Sequence, residues 1–478
     1  MHLPTTTKLH VMPRRSQQAT PNFASLAAWP STKISQHHAH FGKFARRALC
    51  SFGVVVGCPT AEETAGEEAA SIFKLQRCAL EAQDCLDYSW EQLHAGPWGE
   101  VSPFWREFYG TAVLMVAACR WRLAVHGRAR IPTLRRIAKI IDLGLMMAGP
   151  KVQPALATAM HELETELRRH VGAQSAVTSD ATAKHDSRSQ RKRQFVSLGE
   201  PPAHRPLDAP PLPPRLASAR VTALQRRVLP PLQDFLENHL ITREPVVVQG
   251  AMVDWPALRP ISPAADAPGS RREACARWAD MVYLKRCASH RTVPVEIGEH
   301  YLCEEWRQEL MPLGEFIDKH VMHPDPGNRA DNLVGYLAQH PLFDQIPALR
   351  SDIVTPAYCH LSDRRDGGDN DIVTNGWFGP AGTVTPLHYD LKHNLLCQVV
   401  GRKYIRLYPA DIAGQFSPLY PYLTGMHTNS SQVDVSAPDL DAFPLFRCAP
   451  YFECVLAPGE LLYLLRIYKF TGSALYDV

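Results

Sequence analysis

The chain has 478 residues, 45% hydrophobic and 21% charged, enough apolar material for more than one buried core. Its 51 Lys and Arg against 48 Asp and Glu leave a net charge of +3, which argues against a nucleic-acid coat or a general membrane-surface binder. Twelve cysteines are scattered with no CxxC pair, so neither a disulfide framework nor a zinc module is expected, and the usage fits a reducing compartment. Apolar runs such as residues 52–58 fall far short of the ~20 residues of a membrane span, and no membrane association is expected.

Residues 1–61 contain no Asp or Glu but many Ser, Thr, Arg and His. That is the composition of an organelle transit peptide, and equally of a disordered tail or an over-extended start of translation. The expectation for 1–70 is an unfolded extension. From Ile72 the period becomes helical, with Leu75, Ala79, Ala82, Leu86 and Leu93 on one face, until Gly96-Pro97 breaks it. A second helical stretch covers 104–125 around Trp105, Phe108, Val113, Val116 and Trp121. A third follows Pro132, well placed in a first turn, and ends near Gly149-Pro150; a fourth covers 154–170. This spacing predicts a small all-α domain at 71–171, an interaction or support module rather than a catalytic one. Residues 172–215 read as a linker whose proline-rich part, 206–214, favours extended polyproline conformations. Its Arg191-Lys192-Arg193 is either a nuclear import signal or, more economically, solvated linker charge.

After 216 the pattern turns strand-like. Val246-Val247-Val248 is a β-branched run stopped by Gly250, and 291–296, 397–408 and 454–463 alternate. Short strands with turn residues and few helices predict an antiparallel barrel or jelly roll. The expected class is therefore α+β: an all-α domain, a linker, and a jelly-roll domain at 216–478.

The chemistry centres on Thr385-Pro386-Leu387-His388-Tyr389-Asp390. On a strand, His388 and Asp390 share a face and can supply two corners of a metal site. With a second histidine they would form the facial triad of non-haem iron oxygenases. Alone, a His-x-Asp is more often an ordinary strand pair. In 401–408, GRKYIRLY, Arg402, Tyr404 and Arg406 take one face and Lys403, Ile405 and Leu407 the other. An unpaired ammonium on an apolar face costs several kcal/mol. Lys403 must snorkel to the rim or meet an anion inside, and the far carboxylate of 2-oxoglutarate would be such an anion.

NGWFGPAGT at 375–383, then TPLHYD and GRKYIRLYP, closely resemble the JmjC-domain oxygenases, most nearly the branch described as arginyl hydroxylases and as histone lysine demethylases or histone-tail peptidases. The likeness extends to RTVPVEIG at 291–298, GYLAQH at 335–340, NSSQVDV at 429–435 and APGELLY at 457–463, and CLDYSWE at 85–91 resembles that branch's helical domain. The resemblance implies a double-stranded β-helix and the cofactors Fe(II), 2-oxoglutarate and O2. His388 and Asp390 would be iron ligands. Tyr336, Thr385 and Lys403 would hold the distal carboxylate of 2-oxoglutarate, with Asn394 near its chelating end. Glu296 and Trp377 would form the substrate pocket, for a cationic Arg or Lys side chain of a protein, histones and chromatin proteins among the partners. On physics alone Tyr336 and Trp377 could equally be core aromatics, Glu296 a solvent-facing charge and Thr385 an ordinary strand residue. His393 reads as a surface neighbour. The nucleus, the cytoplasm or both are implied, with a mitochondrial address the lesser alternative.

One departure stands out. The family carries its third iron ligand in a Pro-x-x-x-Trp-His segment after the GELLY strand; here Tyr463 is followed by Leu464-Leu465-Arg466-Ile467-Tyr468-Lys469-Phe470-Thr471, and no histidine follows His427. The expectation is a β-helix incomplete at its C-terminal end, lacking its closing strands, with weak iron binding and an exposed sheet edge. His427 would substitute only if its loop folded into the barrel. Two readings compete: a working oxygenase that hydroxylates or demethylates protein side chains, and an impaired or truncated form acting through its helical domain.

Overall fold

A computed structural model describes residues 65–96, 100–126, 131–182, 212–260, 275–322, 334–362, 371–409, 418–466 and 469–474. The readings of the first 64 residues and of 183–211, including Arg191-Lys192-Arg193, lie outside the described residues. The chain divides into two compact units, with the boundary after Ser187.

The first unit contains α1 (Ala65–Leu93), α2 (Pro103–His126), α3 (Ile131–Met147) and α4 (Gln153–Thr182). Ala112, Val113, Leu114, Met115, Val116, Ala117, Ala118 and Cys119 of α2 are each at most 1% exposed. A helix that is apolar all round must be covered on every side, and α1, α3 and α4 all pack on α2. At Gly144 of α3 an added Cβ would stand 2.8 Å from the Val113 side chain, so only glycine allows the two helices this close. Leu134, Ile137 and Ile141 are fully buried, each worth about 1.5–3 kcal/mol. The helix expected to end near His170 continues to Thr182.

The described residues of the second unit form thirteen strands. In chain order they are β1 (Val221–Ala223), β2 (Arg226–Val228), β3 (Val246–Gln249), β4 (Thr292–Ile297), β5 (Arg307–Pro312), β6 (Gly335–His340) and β7 (Gly376–Phe378). They continue with β8 (Val384–His388), β9 (Asn394–Cys397), β10 (Lys403–Tyr408), β11 (Tyr451–Leu456), β12 (Glu460–Leu464) and β13 (Lys469–Ala474). One sheet has the order β1-β11-β10-β13-β8, a second β2-β3-β12-β9 and a third β5-β4-β6-β7. The alternating stretches expected at 397–408 and 454–463 each resolve into two strands of different sheets. Gly401 and Gly459, at φ +68° and +86°, turn the chain between them. Winding from one sheet to the other at each turn is what makes a double-stranded β-helix. Val247, Val293, Leu337, Ile405 and Leu461, drawn from all three sheets, share one buried core.

The expectation that the tail after Tyr463 lacks closing strands is corrected. β13 runs antiparallel between β10 and β8, pairing Ile405 with Gly472 and His388 with Phe470. A further cluster of Leu387, Tyr408, Phe446 and Tyr451 covers the opposite face of that sheet. There Arg406, 1% exposed, donates to the Tyr404 hydroxyl and the Pro213 and Pro214 carbonyls, which ties the end of the proline-rich stretch to β10.

Candidate active site

Ile405 and Leu407 of β10 lie in the core, and the period of two puts Lys403 on the same inward face. Its Nζ donates to the Tyr336 hydroxyl at 3.3 Å and stands 5.9 Å from that ring's centroid. Among the described residues no carboxylate pairs with it. The lysine lies across Gly472 of β13, where an added Cβ would sit 2.8 Å from Lys403 Cε. Lys403 and Tyr336 line a cavity of about 1390 Å³, together with Trp377, Asp390, His393 and Asn394. That exceeds the ~300–1,000 Å³ of an ordinary small-molecule site and has room for a co-substrate and an inserted side chain.

At the other end, His388 closes β8 and Asp390 follows it. Between Thr385–His388 and Gly472–Phe470 the register shifts by a bulge, which turns Thr385 and His388 to the same side despite their odd spacing. Pro386, with no N–H to pair, falls within the irregular step. His388 Nδ1–H donates to the Pro386 carbonyl at 2.8 Å, leaving Nε2 with the lone pair, 3.8 Å from Asp390 Oδ1. Asn394, expected near 2-oxoglutarate, donates its amide to Asp390 Oδ2 at 3.1 Å and so orients the carboxylate.

Glu296 on β4 pairs with Tyr336 on β6 and lines a small niche with Trp306, next to the main cavity. It is half-buried rather than solvent-facing, and burial pushes its carboxyl up, the Trp306 indole opposing weakly. Tyr301, which sequence reasoning missed, lies near both carboxylates. Burial raises its hydroxyl, the Ser430 hydroxyl at 3.1 Å opposes, and Glu296 and Asp390 raise it further. It sits in an irregular loop where no periodicity could have flagged it. Trp377, 37% exposed, stands at the cavity wall. The reading of His393 as a surface residue is corrected: it lines the cavity, and its Nδ1 meets the Tyr463 hydroxyl at 2.9 Å with the rings stacked. Burial pushes the wall thiols Cys359 and Cys397 up to about 11 and 12, so neither is a ready nucleophile or thiolate ligand.

A family model described as a cupin-like domain matches residues 232–466, and one described as KDM8-like, N-terminal ARM repeats matches 69–177. Lysine-specific demethylase 8 of Xenopus tropicalis is 32% identical, over 84% of this chain and 88% of its own length. The chain belongs to the JmjC family. Lysine-specific demethylase JMJ30 of Arabidopsis thaliana is 35% identical over 80% of each chain. Jumonji C domain-containing protein 5 of Drosophila melanogaster is 36% identical over 54% of this chain and 59% of the relative. JmjC proteins generally use Fe(II) and 2-oxoglutarate. No helix among the described residues is long and apolar enough to cross a membrane.

The two cofactors fit this site unequally. Lys403, Tyr336 and the cleared space over Gly472 suit a dicarboxylate. For iron, His388 and Asp390 offer two donors, and no group of three or more His, Cys, Asp or Glu among the described residues could hold a metal ion. The residue paired with His388 on the neighbouring strand is Phe470, its ring centroid 4.3 Å from the imidazole. His427 packs on Tyr301, ring centroids 5.7 Å apart. Among the described residues a facial triad is not formed.

Proposed function

We propose that this barrel is a 2-oxoglutarate site of the protein-oxygenase class, built to bring a cationic protein side chain to the co-substrate. The observation that carries the reading is Lys403, whose ammonium points along the apolar face of β10 with a tyrosine hydroxyl beside it and no carboxylate partner among the described residues. Tyr336 and Thr385 would share the distal carboxylate with it. Glu296 would pair with an arginine or lysine side chain, and Trp377 would wall the entrance. Hydroxylation of an arginine and demethylation of a lysine N-methyl group are the same oxidation of a C–H bond: O2 would be the oxidant, 2-oxoglutarate would be consumed to succinate and CO2, Fe(II) would activate the O2, and a hydroxylated N-methyl group would leave as formaldehyde. The pocket suits a cationic substrate for either. Relatives named as lysine-specific demethylases support histones or other chromatin proteins as substrates, in the nucleus or cytoplasm.

A second reading is favoured by Phe470. With two donors and an apolar neighbour, the chain would bind its ligands and turn over slowly or not at all, its helical unit recruiting partners. One experiment tests the binding that both readings share. 2-Oxoglutarate is titrated into the full chain by calorimetry, then arginine, lysine and glutamine versions of one peptide are added. Binding of the dicarboxylate, with the two cationic peptides preferred over the neutral one, is expected. A chain indifferent to 2-oxoglutarate would end the proposal; succinate release under Fe(II) and air would then choose between the readings.

A further inference from the structure

We infer that Phe470 closes the third corner of the metal site, so that one substitution in β13 separates this chain from a complete three-ligand centre. Among the described residues β8 has one strand neighbour in its sheet, β13, and the residue paired with His388 there is Phe470. Opposite residues of an antiparallel pair hold their Cβ atoms ~4.5–5.5 Å apart, close enough for two imidazoles to meet one ion at about 2.1 Å each. Asp390, two residues beyond His388, would face the same point. Phe470 puts a ring there with no lone pair, packed on the imidazole at 4.3 Å and 49°, where it also takes the space of a water ligand.

Among the described residues the opposite side of His388 offers no replacement. A lone bridge joins it to Ser430, whose hydroxyl is engaged with Tyr301, and Asn429 Nδ2 donates to the Tyr389 carbonyl. His388 Nδ1 is held by Pro386, so Nε2 is its only outward nitrogen. Two residues along the same face of β13, Gly472 leaves Lys403 its space. The strand thus keeps the anion end open and shuts the metal end.

The prediction for dicarboxylate binding rests on the proposed function, and the metal arm does not. Co(II) is titrated anaerobically into the full chain, the Phe470→His variant and the Phe470→Ala variant with and without free imidazole. Visible absorption reports the coordination, and elemental analysis after dialysis reports stoichiometry. The unaltered chain should keep little metal and bind 2-oxoglutarate within about twofold the same with or without Co(II). Phe470→His should gain one ion per chain and tighten 2-oxoglutarate at least ~10-fold in its presence. Phe470→Ala should gain the ion only when imidazole is supplied, filling the space the ring left. One ion held by the unaltered chain and lost in His388→Ala overturns the inference without recourse to any Phe470 variant. So does a Phe470→His and a Phe470→Ala that unfold like the parent yet gain nothing, with imidazole or without. Metal gained while no form binds 2-oxoglutarate upholds the role of Phe470 and overturns the dicarboxylate reading instead.

Discussion

The Lys403 end and the His388 end of the site share the neighbouring strand β13 and differ in what that strand presents. At the Lys403 end β13 offers Gly472 and the lysine lies in the space left by the missing side chain. At the His388 end, on the same face, it offers Phe470, whose ring covers the imidazole. A period of two carries both residues to one side, so a tail of this kind can preserve ligand recognition while withholding a metal donor. Binding and turnover are separable properties of one barrel.

The largest effect should come from Lys403→Ala, which removes a charge-assisted contact worth about 1.5–3 kcal/mol, roughly 10–150-fold in 2-oxoglutarate affinity. Calorimetry reads it, and an unchanged constant would erase the contrast between the ends. Gly472→Val should push the lysine out of place, since its Cβ would stand 2.8 Å from Lys403 Cε, and overpacking of this kind costs about 1–3 kcal/mol. Thermal unfolding and dicarboxylate affinity should both fall; a variant as stable and as tight as the parent would show that glycine is not needed there.

Glu296 gives a prediction about pH. Burial holds its carboxyl above the ordinary 4.5, so over the pH range between its unfolded and folded values the folded chain binds more protons than the unfolded one. Its contribution to stability therefore falls as pH rises through that raised value. Glu296→Gln should unfold at a higher temperature near neutral pH, with a flatter pH profile, while the preference for cationic peptides disappears. A steeper profile in the variant would reverse the sign and with it the burial argument. Tyr336→Phe should weaken 2-oxoglutarate by about 0.5–1.5 kcal/mol through loss of one hydroxyl next to the ammonium. Smallest of all, Asp390→Ala should leave dicarboxylate affinity, titrated without added metal, within about twofold, because two donors hold an ion too weakly to link that carboxylate to the ligand. A large loss there would mean that the His388 end takes part in binding.

Much of this is legible in the sequence. Periodicity alone marked the four helices of the first unit and the inward face of Lys403, because both depend on short-range alternation of apolar and polar side chains. The His-x-Asp pair and the absence of a histidine after His427 are likewise plain in the residues. The turns at Gly401 and Gly459, which break two apparently continuous alternations into four strands, were harder to see, since glycine inside a strand pattern also occurs without a reversal.

What the sequence determined by itself is chemistry: two potential ligands, a lysine on an apolar face, and a family whose motifs occur in order. Tertiary structure decided the neighbours. Nothing in the order of residues says that β13 inserts between β10 and β8, that a bulge at Pro386 brings Thr385 and His388 to one side, or that Phe470 is the residue facing His388. Those are matters of strand register, set by which buried faces and hydrogen-bond ladders fit across segments some eighty residues apart, and a shift of one residue would turn every side chain to the opposite face.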